Sequence, residues 1–333
     1  MLSLVIPVYK NEESLPRLLH ELEGLAGRLR DTLEVVFVVD GSPDSSLRIL
    51  QSRLPTWSIR SQLVELSRNF GSFSAIAAGL LHGQGECFAV LAADLQEPPD
   101  LVLEFHKLLT SGEADVVFGH RTGRADAWLS RLASEWFWSL YRRFVLKDLP
   151  RGGIDVFGCT RQVRDRLLEL KEVNTNLIAL LFWLGFRRRF VPYERQPRLE
   201  GRSAWTVGRK FRYALDSVFS FTDLPIKWLL WLGVIGTSAA CIAGVTVFVA
   251  WSLGHIPVLG YTPLMLVISF FGGLTALGLG IVGEYLWLSL QNARARPAFV
   301  VKSTWRSSSD SGPSSALENH ALAVPPIADR NSS

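Results

Sequence analysis

Apolar residues in the first 120 positions gather into short continuous runs, and the stretches between them carry an apolar residue every third or fourth place. Residues 4–8, 35–39, 62–66, 88–92 and 116–118 are strand-like runs. Between the first two, Leu15, Leu18, Leu19, Leu22, Leu25 and Leu29 have the spacing of one helix face, predicting a helix over 14–29. Small side chains over 74–81 predict a second helix after the third strand. Strands alternating with helices predict an α/β domain over residues 1–225, built on a mainly parallel, doubly wound sheet.

The pattern changes further on. Residues 226–253 are almost wholly apolar, and 261–290 carry one charge, Glu284. Each run exceeds the roughly 20 residues that cross a bilayer, although a buried hairpin of a large soluble protein is the alternative. Arg209, Lys210, Arg212 and Lys227 flank the first run, and Arg294, Arg296, Lys302 and Arg306 follow the second. The connection, 254–260, holds no Lys or Arg. By the positive-inside rule this predicts a multi-pass protein of the cell (inner) membrane, with the α/β domain and both termini cytoplasmic. Gly272, Gly273, Gly278, Gly280 and Gly283 permit close helix packing, including a homo-oligomer through these helices.

Two further segments are expected at the bilayer surface. Trp128, Leu129, Leu132, Trp136, Phe137, Leu140, Tyr141 and Phe144 recur at helical spacing within 126–146, among Arg131, Glu135, Arg142 and Arg143. That composition fits an interfacial helix, with packing on the protein's own core as the alternative. Residues 203–224 predict a second juxtamembrane helix. The Ser- and Pro-rich stretch 303–333 reads as a disordered cytoplasmic tail.

Composition agrees with a globular domain plus spans: 48% of residues are hydrophobic and the mean hydropathy is +0.20. The net charge of +4 raises the question of nucleic acid. Basic residues concentrate between Arg187 and Lys227, beside the first span, so a lipid surface or lipid phosphate is the expected partner and nucleic acid is not. Cys87, Cys159 and Cys241 lie far apart in sequence, which predicts a reducing compartment and no disulfide framework.

The most specific chemistry lies after the fourth strand, in Asp94-Leu95-Gln96-Glu97-Pro98-Pro99. A carboxylate at the carboxyl end of a parallel strand sits where open α/β sheets bind ligands. Asp94 and the Gln96 oxygen suit a hard divalent cation, Mg²⁺ or Mn²⁺, carrying a diphosphate; the bland reading is a turn with Asp as helix cap. Pro7-Val8-Tyr9-Lys10-Asn11-Glu12 ends the first strand, and Asp40-Gly41-Ser42 ends the second. Arg68-Asn69-Phe70-Gly71 follows the third, and His120-Arg121 the fifth. Each alone is a turn, but their common placement predicts convergence along one sheet edge.

Carried by these motifs, the sequence resembles the polyisoprenyl-phosphate glycosyltransferases of glycosyltransferase family 2, inverting enzymes with a GT-A fold. The likeness runs from about residue 2 to 301. It includes Glu194-Arg195 through Arg198, Gly201, Ser203 and Trp205, and Gly283-Glu284-Tyr285 before Arg294-Ala295-Arg296-Pro297. The resemblance implies that Pro7, Tyr9, Glu12 and Asp40 hold the donor nucleotide, and that Asp94 and Gln96 hold the metal. It places Arg121 near the donor phosphates, and Arg198, Arg202 and Ser203 where diphosphate and lipid phosphate meet. The implied reaction moves one sugar from a nucleotide diphosphate sugar, such as UDP-glucose, to undecaprenyl phosphate.

Three departures stand out. Ala92 occupies the first position of an Asp-Ala-Asp motif, Val39 precedes Asp40 where a second Asp is common, and Gly153 replaces an acidic residue, with Asp155 two positions on as a substitute. An inactive scaffold of the same fold is the alternative these changes raise. A processive synthase is a weaker one, since no Gln-x-x-Arg-Trp motif occurs.

Overall fold

The computed structural model describes residues 1–29, 32–122, 154–170, 177–196, 224–253, 261–294 and 296–307. The expected interfacial helix at 126–146, nearly all of 203–224, and Arg198, Arg202 and Ser203 lie outside these residues.

The first half follows the predicted alternation. Strands β1 (Leu2–Val8), β2 (Leu33–Val39), β3 (Arg60–Leu66) and β4 (Cys87–Val90) are parallel neighbours, linked by helices α1 (Leu15–Leu29), α2 (Ser46–Arg53) and α3 (Ser72–His82). Helix α4 (Asp100–Thr110) leads to β5 (Val116–Arg121). Then β6 (Ile154–Thr160) inserts antiparallel between β4 and β5, before helices α5 (Arg161–Glu169) and α6 (Leu177–Trp183). Strand β7 (Arg188–Tyr193) closes one edge, parallel to β5.

Both faces of the sheet are covered, which is why its central strands read as unbroken apolar runs. Helices α1, α2 and α4 pack Leu18, Leu22, Leu50 and Phe105 against Leu4, Ile6 and Phe37 on one face. On the other, α3, α5 and α6 pack Ala75, Val163 and Leu181 against Val5, Val36 and Phe118. Helix α3 sits so low on the sheet that a Cβ at Gly79 would lie 2.2 Å from Val5 Cγ1.

Two long helices follow, α7 (Leu224–Ser252, 29 residues) and α8 (Tyr261–Ala293, 33 residues). Their apolar side chains are exposed, among them Trp228, Ile235 and Val245 on α7 and Leu264, Phe270 and Leu279 on α8. Among the described residues, Phe270–Gln291 is the stretch long and apolar enough to qualify as a candidate span.

The tail requires a correction. Residues 303–333 were expected to be disordered, yet Val301–Arg306 form strand β8, antiparallel on β3. Lys302 Nζ pairs with Glu65 Oε1 at 2.6 Å, Ser303 Oγ donates to Glu65 Oε2, and Arg306 Nε donates to Gln62 Oε1 at 3.0 Å. Trp305 packs on the core. Polar cross-strand partners on β3, rather than an apolar run, specify this strand. The full order is β7-β5-β6-β4-β1-β2-β3-β8.

Candidate active site

Strand β1 lies between β2 and β4, so the strand order reverses at the β1–β4 boundary and a crevice opens there at the carboxyl ends. The apolar run continues to residue 92, but β4 leaves the sheet at Val90, opposite Val5. Pro7 therefore sits beyond the end of β4, where β1 needs no N–H donor on that side. The chain from Leu91 to Glu97 continues with alternating exposure: Leu91, Ala93, Leu95 and Glu97 are buried, while Ala92, Asp94 and Gln96 are partly exposed. Position 92 thus shares the accessible side of Asp94 and Gln96.

Both walls of the crevice carry backbone strain. Lys10, after β1, has φ 57° and Leu95, between Asp94 and Gln96, has φ 54°. Left-handed conformations at non-glycine residues cost about 1–3 kcal/mol each and persist where neighbouring structure enforces them. At Lys10 the enforcement is visible: its N–H donates to Ser42 Oγ at 2.8 Å, and the Tyr9 N–H donates to Asn11 Oδ1 at 2.9 Å.

Glu12 and Asp44 bind the β1 and β2 loops together. Glu12 Oε2 accepts from the Ser45 N–H at 2.9 Å, and Asp44 accepts from the Glu12 and Ser46 amides and both serine hydroxyls at 42 and 46. Burial pushes the Asp44 carboxyl up, but these hydrogen bonds outweigh it and leave it below its ordinary value.

Asp40 is 3% exposed and accepts from the Phe70 N–H at 2.7 Å and the Gly71 N–H at 2.8 Å, one on each oxygen. Burial raises its pKa against the pull of those bonds and of Arg68. The neighbouring Gly41 has φ +56°, and a Cβ there would lie 2.4 Å from Arg68 C and Asn69 N. The two motifs at 40–42 and 68–71 are therefore one packed unit, in which Asp40 clamps the loop after β3.

On the other wall, Arg121 at the end of β5 faces Asp155 at the start of β6, because β6 runs antiparallel. Arg121 Nε lies 2.6 Å from Asp155 Oδ2 and its Nη2 donates to Oδ1 at 3.0 Å. Tyr193, closing β7, donates its hydroxyl to Asp155 Oδ2 at 2.7 Å. Burial and the Asp155 charge hold the Tyr193 phenol well above its ordinary pKa, so it stays a donor.

Glu97 lies behind this cluster, 2% exposed, with Oε2 unpartnered. Burial, then Asp94 and Asp155, raise its pKa to about 7. Finally, residues 195–196 pair with the turn: the Gln196 N–H donates to Gln96 O at 2.9 Å, and Arg195 Nη2 donates to Gln96 Oε1. Tyr193 and Glu97 escaped the sequence reading. A lone Tyr at the end of an Arg-rich strand carries no signal, and Glu97 read as part of a turn.

The profile of the family described as "Glycosyl transferase family 2" matches residues 3–169, half of the chain and every strand-end motif from Pro7 to Asp155. The chain belongs to glycosyl transferase family 2. It is 33% identical over 306 residues to an uncharacterized glycosyltransferase of Synechocystis sp., covering 91% of this chain and 95% of that one. It is 29% identical over 304 residues to the uncharacterized glycosyltransferase YkcC of Bacillus subtilis, covering 91% and 94%. It is 28% identical over 306 residues to the SfII prophage-derived bactoprenol glucosyl transferase of Shigella flexneri, covering 92% and 98%. The protein is accordingly a glycosyltransferase, and the β1–β4 crevice is its candidate active site.

Among the described residues of this glycosyltransferase, no three His, Cys, Asp or Glu side chains gather into a metal cage. The turn offers one accessible carboxylate, Asp94, and one amide oxygen, Gln96, while its second carboxylate, Glu97, is buried. Such a hard, two-oxygen donor set fits a cation that takes its remaining ligands from diphosphate and water. Arg195 uses one lone pair of the Gln96 oxygen, which has two.

Proposed function

We propose that this glycosyltransferase moves a single sugar, with inversion, from a nucleotide diphosphate sugar to a polyisoprenyl phosphate at the cytoplasmic face of the membrane. UDP-glucose is the proposed donor and undecaprenyl phosphate the proposed acceptor. The observation that carries the acceptor side is the register of β8. Leu66 at the carboxyl end of β3 pairs with Val301, and the Ser67 N–H donates to Val300 O at 2.9 Å. The chain therefore enters the sheet from α8 at the same edge that holds the crevice. Residues 294–300 span at most about 25 Å, so the end of α8 stays within that reach of the catalytic edge. A lipid phosphate stays in its bilayer, since burial of its chain is worth about 0.8 kcal/mol per CH₂. An edge tethered to membrane helices meets that requirement. The similarity to a bactoprenol glucosyl transferase over 92% of this chain supports the same acceptor class.

In the proposed reaction a phosphate oxygen of the acceptor bonds to the sugar C1 as the bond from C1 to the diphosphate breaks, and the nucleoside diphosphate leaves with the electron pair. The acceptor is already anionic at neutral pH and needs little general-base help. That suits Asp155, whose two oxygens are engaged by Arg121 and Tyr193; its proposed role is to hold the wall of the site. Asp94 and Gln96 would hold Mg²⁺ or Mn²⁺, which when bound neutralises charge on the leaving diphosphate. Pro7, Tyr9, Glu12 and Asp40 frame the nucleotide side, and Arg198, Arg202 and Ser203 are the proposed contacts of the lipid phosphate.

The test is a transfer assay with radiolabelled UDP-glucose, and a panel of other nucleotide sugars, on the full chain in liposomes with or without undecaprenyl phosphate. Label appearing in the lipid fraction, dependent on lipid phosphate and lost with Asp94→Asn, is the expected result. Donor turnover that ignores the lipid phosphate would overturn the acceptor assignment.

A further inference from the structure

Two guanidinium groups approach the 94–97 turn, and the structure uses them differently. Arg121 is committed: its charge meets Asp155 at 2.6 Å and its side chain is 23% exposed. Arg195 is exposed, and its Nη2 is anchored on the neutral Gln96 amide. Among the described residues no carboxylate forms an ion pair with Arg195, whose charge pulls the Glu97 pKa down against burial. The backbone around Arg195 is fixed to the same turn by the Gln196 N–H to Gln96 O bond, and Gln96 Nε2 reaches Gln196 O at 3.5 Å.

We propose that Arg195, rather than Arg121, is the guanidinium that binds the diphosphate of the nucleotide sugar and receives the leaving nucleoside diphosphate. The proposal rests on the reading of the crevice as a nucleotide-sugar site. A guanidinium presents five N–H donors in a planar fork that matches phosphate oxygens. With one of Arg195's donors on Gln96, the others remain for a ligand over Asp94 and Gln96. An anion arriving there finds a charge that no carboxylate among the described residues pairs with, already oriented by the bond to Gln96, so little ordering is left to do on binding. Arg121 differs, because turning it toward phosphate would strip Asp155 of its counter-charge in a half-buried setting.

The experiment is calorimetric binding of UDP and of GDP to the full chain in detergent with Mg²⁺, for wild type, Arg195→Gln, Arg195→Lys and Arg121→Gln, with thermal unfolding of each. Arg195→Gln is expected to weaken the bound diphosphate about 10- to 100-fold, the worth of one charge-assisted contact, at an unchanged melting temperature. Arg195→Lys should recover part of the loss, and Arg121→Gln should lower the melting temperature. Undiminished binding by Arg195→Gln would overturn the proposal. So would a loss of binding accompanied by a fall in melting temperature matching that of Arg121→Gln, since Arg195 would then be structural. Failure of the wild type to bind either diphosphate would instead overturn the nucleotide-sugar reading of the crevice.

Discussion

Replacing Asp40 by Asn separates two roles that the same residue can play. The sequence resemblance casts Asp40 as a nucleotide ligand, whereas the structure has both of its oxygens taken by the Phe70 and Gly71 amides, at 2.7 and 2.8 Å. Asparagine keeps one acceptor oxygen and turns an NH₂ toward the second amide. One charge-assisted bond is lost, about 1.5–3 kcal/mol, and an amide is left without a partner, about 1–3 kcal/mol more. Removing a buried charge returns part of this, because burial already disfavours the ionised carboxylate. The net expectation is a loss of about 2–4 kcal/mol of stability. For a domain of this size that is roughly 4–16 °C in melting temperature. The assay is thermal unfolding of the detergent-solubilised full chain without nucleotide, followed by UDP binding below the transition. An unchanged melting temperature with abolished UDP binding would refute the clamp and restore Asp40 as a direct ligand.

Two further expectations follow from the same crevice. Burial, with the charges of Asp94 and Asp155, raises the Glu97 pKa from 4.5 to about 7 in the folded chain, and the test is made in chelator without nucleotide. Between those values the unfolded chain sheds the proton first, so stability falls as pH rises and the penalty, about 3 kcal/mol, is complete above pH 7. Glu97→Gln should therefore match wild type near pH 4.5 and melt higher at pH 8; parallel curves across that range would show that Glu97 does not titrate in this window. Gly41→Ala forces a Cβ to within 2.4 Å of the Arg68 and Asn69 backbone at φ +56°. It should destabilise by about 2 kcal/mol or more and release the Asp40 clamp; an unperturbed melting curve would show that the loop after β3 can yield.

What could be read from the residues alone follows a physical division. Strands β1, β2 and β4 lie inside the sheet with helices on both faces, so they needed apolar runs, and those runs are visible. Strand β7 is an edge strand with Arg188 and Arg189 on it, and β8 is held by Glu65 and Gln62; neither needed such a run, and neither was foreseen. The strand-end motifs were correctly placed on one edge because parallel topology puts every carboxyl end there. The partners inside that edge were not legible. Arg121 meets Asp155 only because β6 reverses direction, and Tyr193 joins them only because β7 lies beside β5. Local spacing carries no record of such pairings, which join positions more than thirty residues apart.

The antiparallel strand at the β3 edge also bears on the order of events during synthesis. A ribosome delivers both long apolar helices before it delivers Val301, while β3 has been available since early in translation. Until β8 arrives, the outer edge of β3 presents unpaired N–H and C=O groups, the kind of edge that recruits foreign strands. The nascent chain must carry that open edge through the period when α7 and α8 are being made. A chain that stalls before residue 301 is left with an adhesive, unfinished sheet. Completion of the catalytic domain is thus deferred, by topology alone, until the hydrophobic segments have been made.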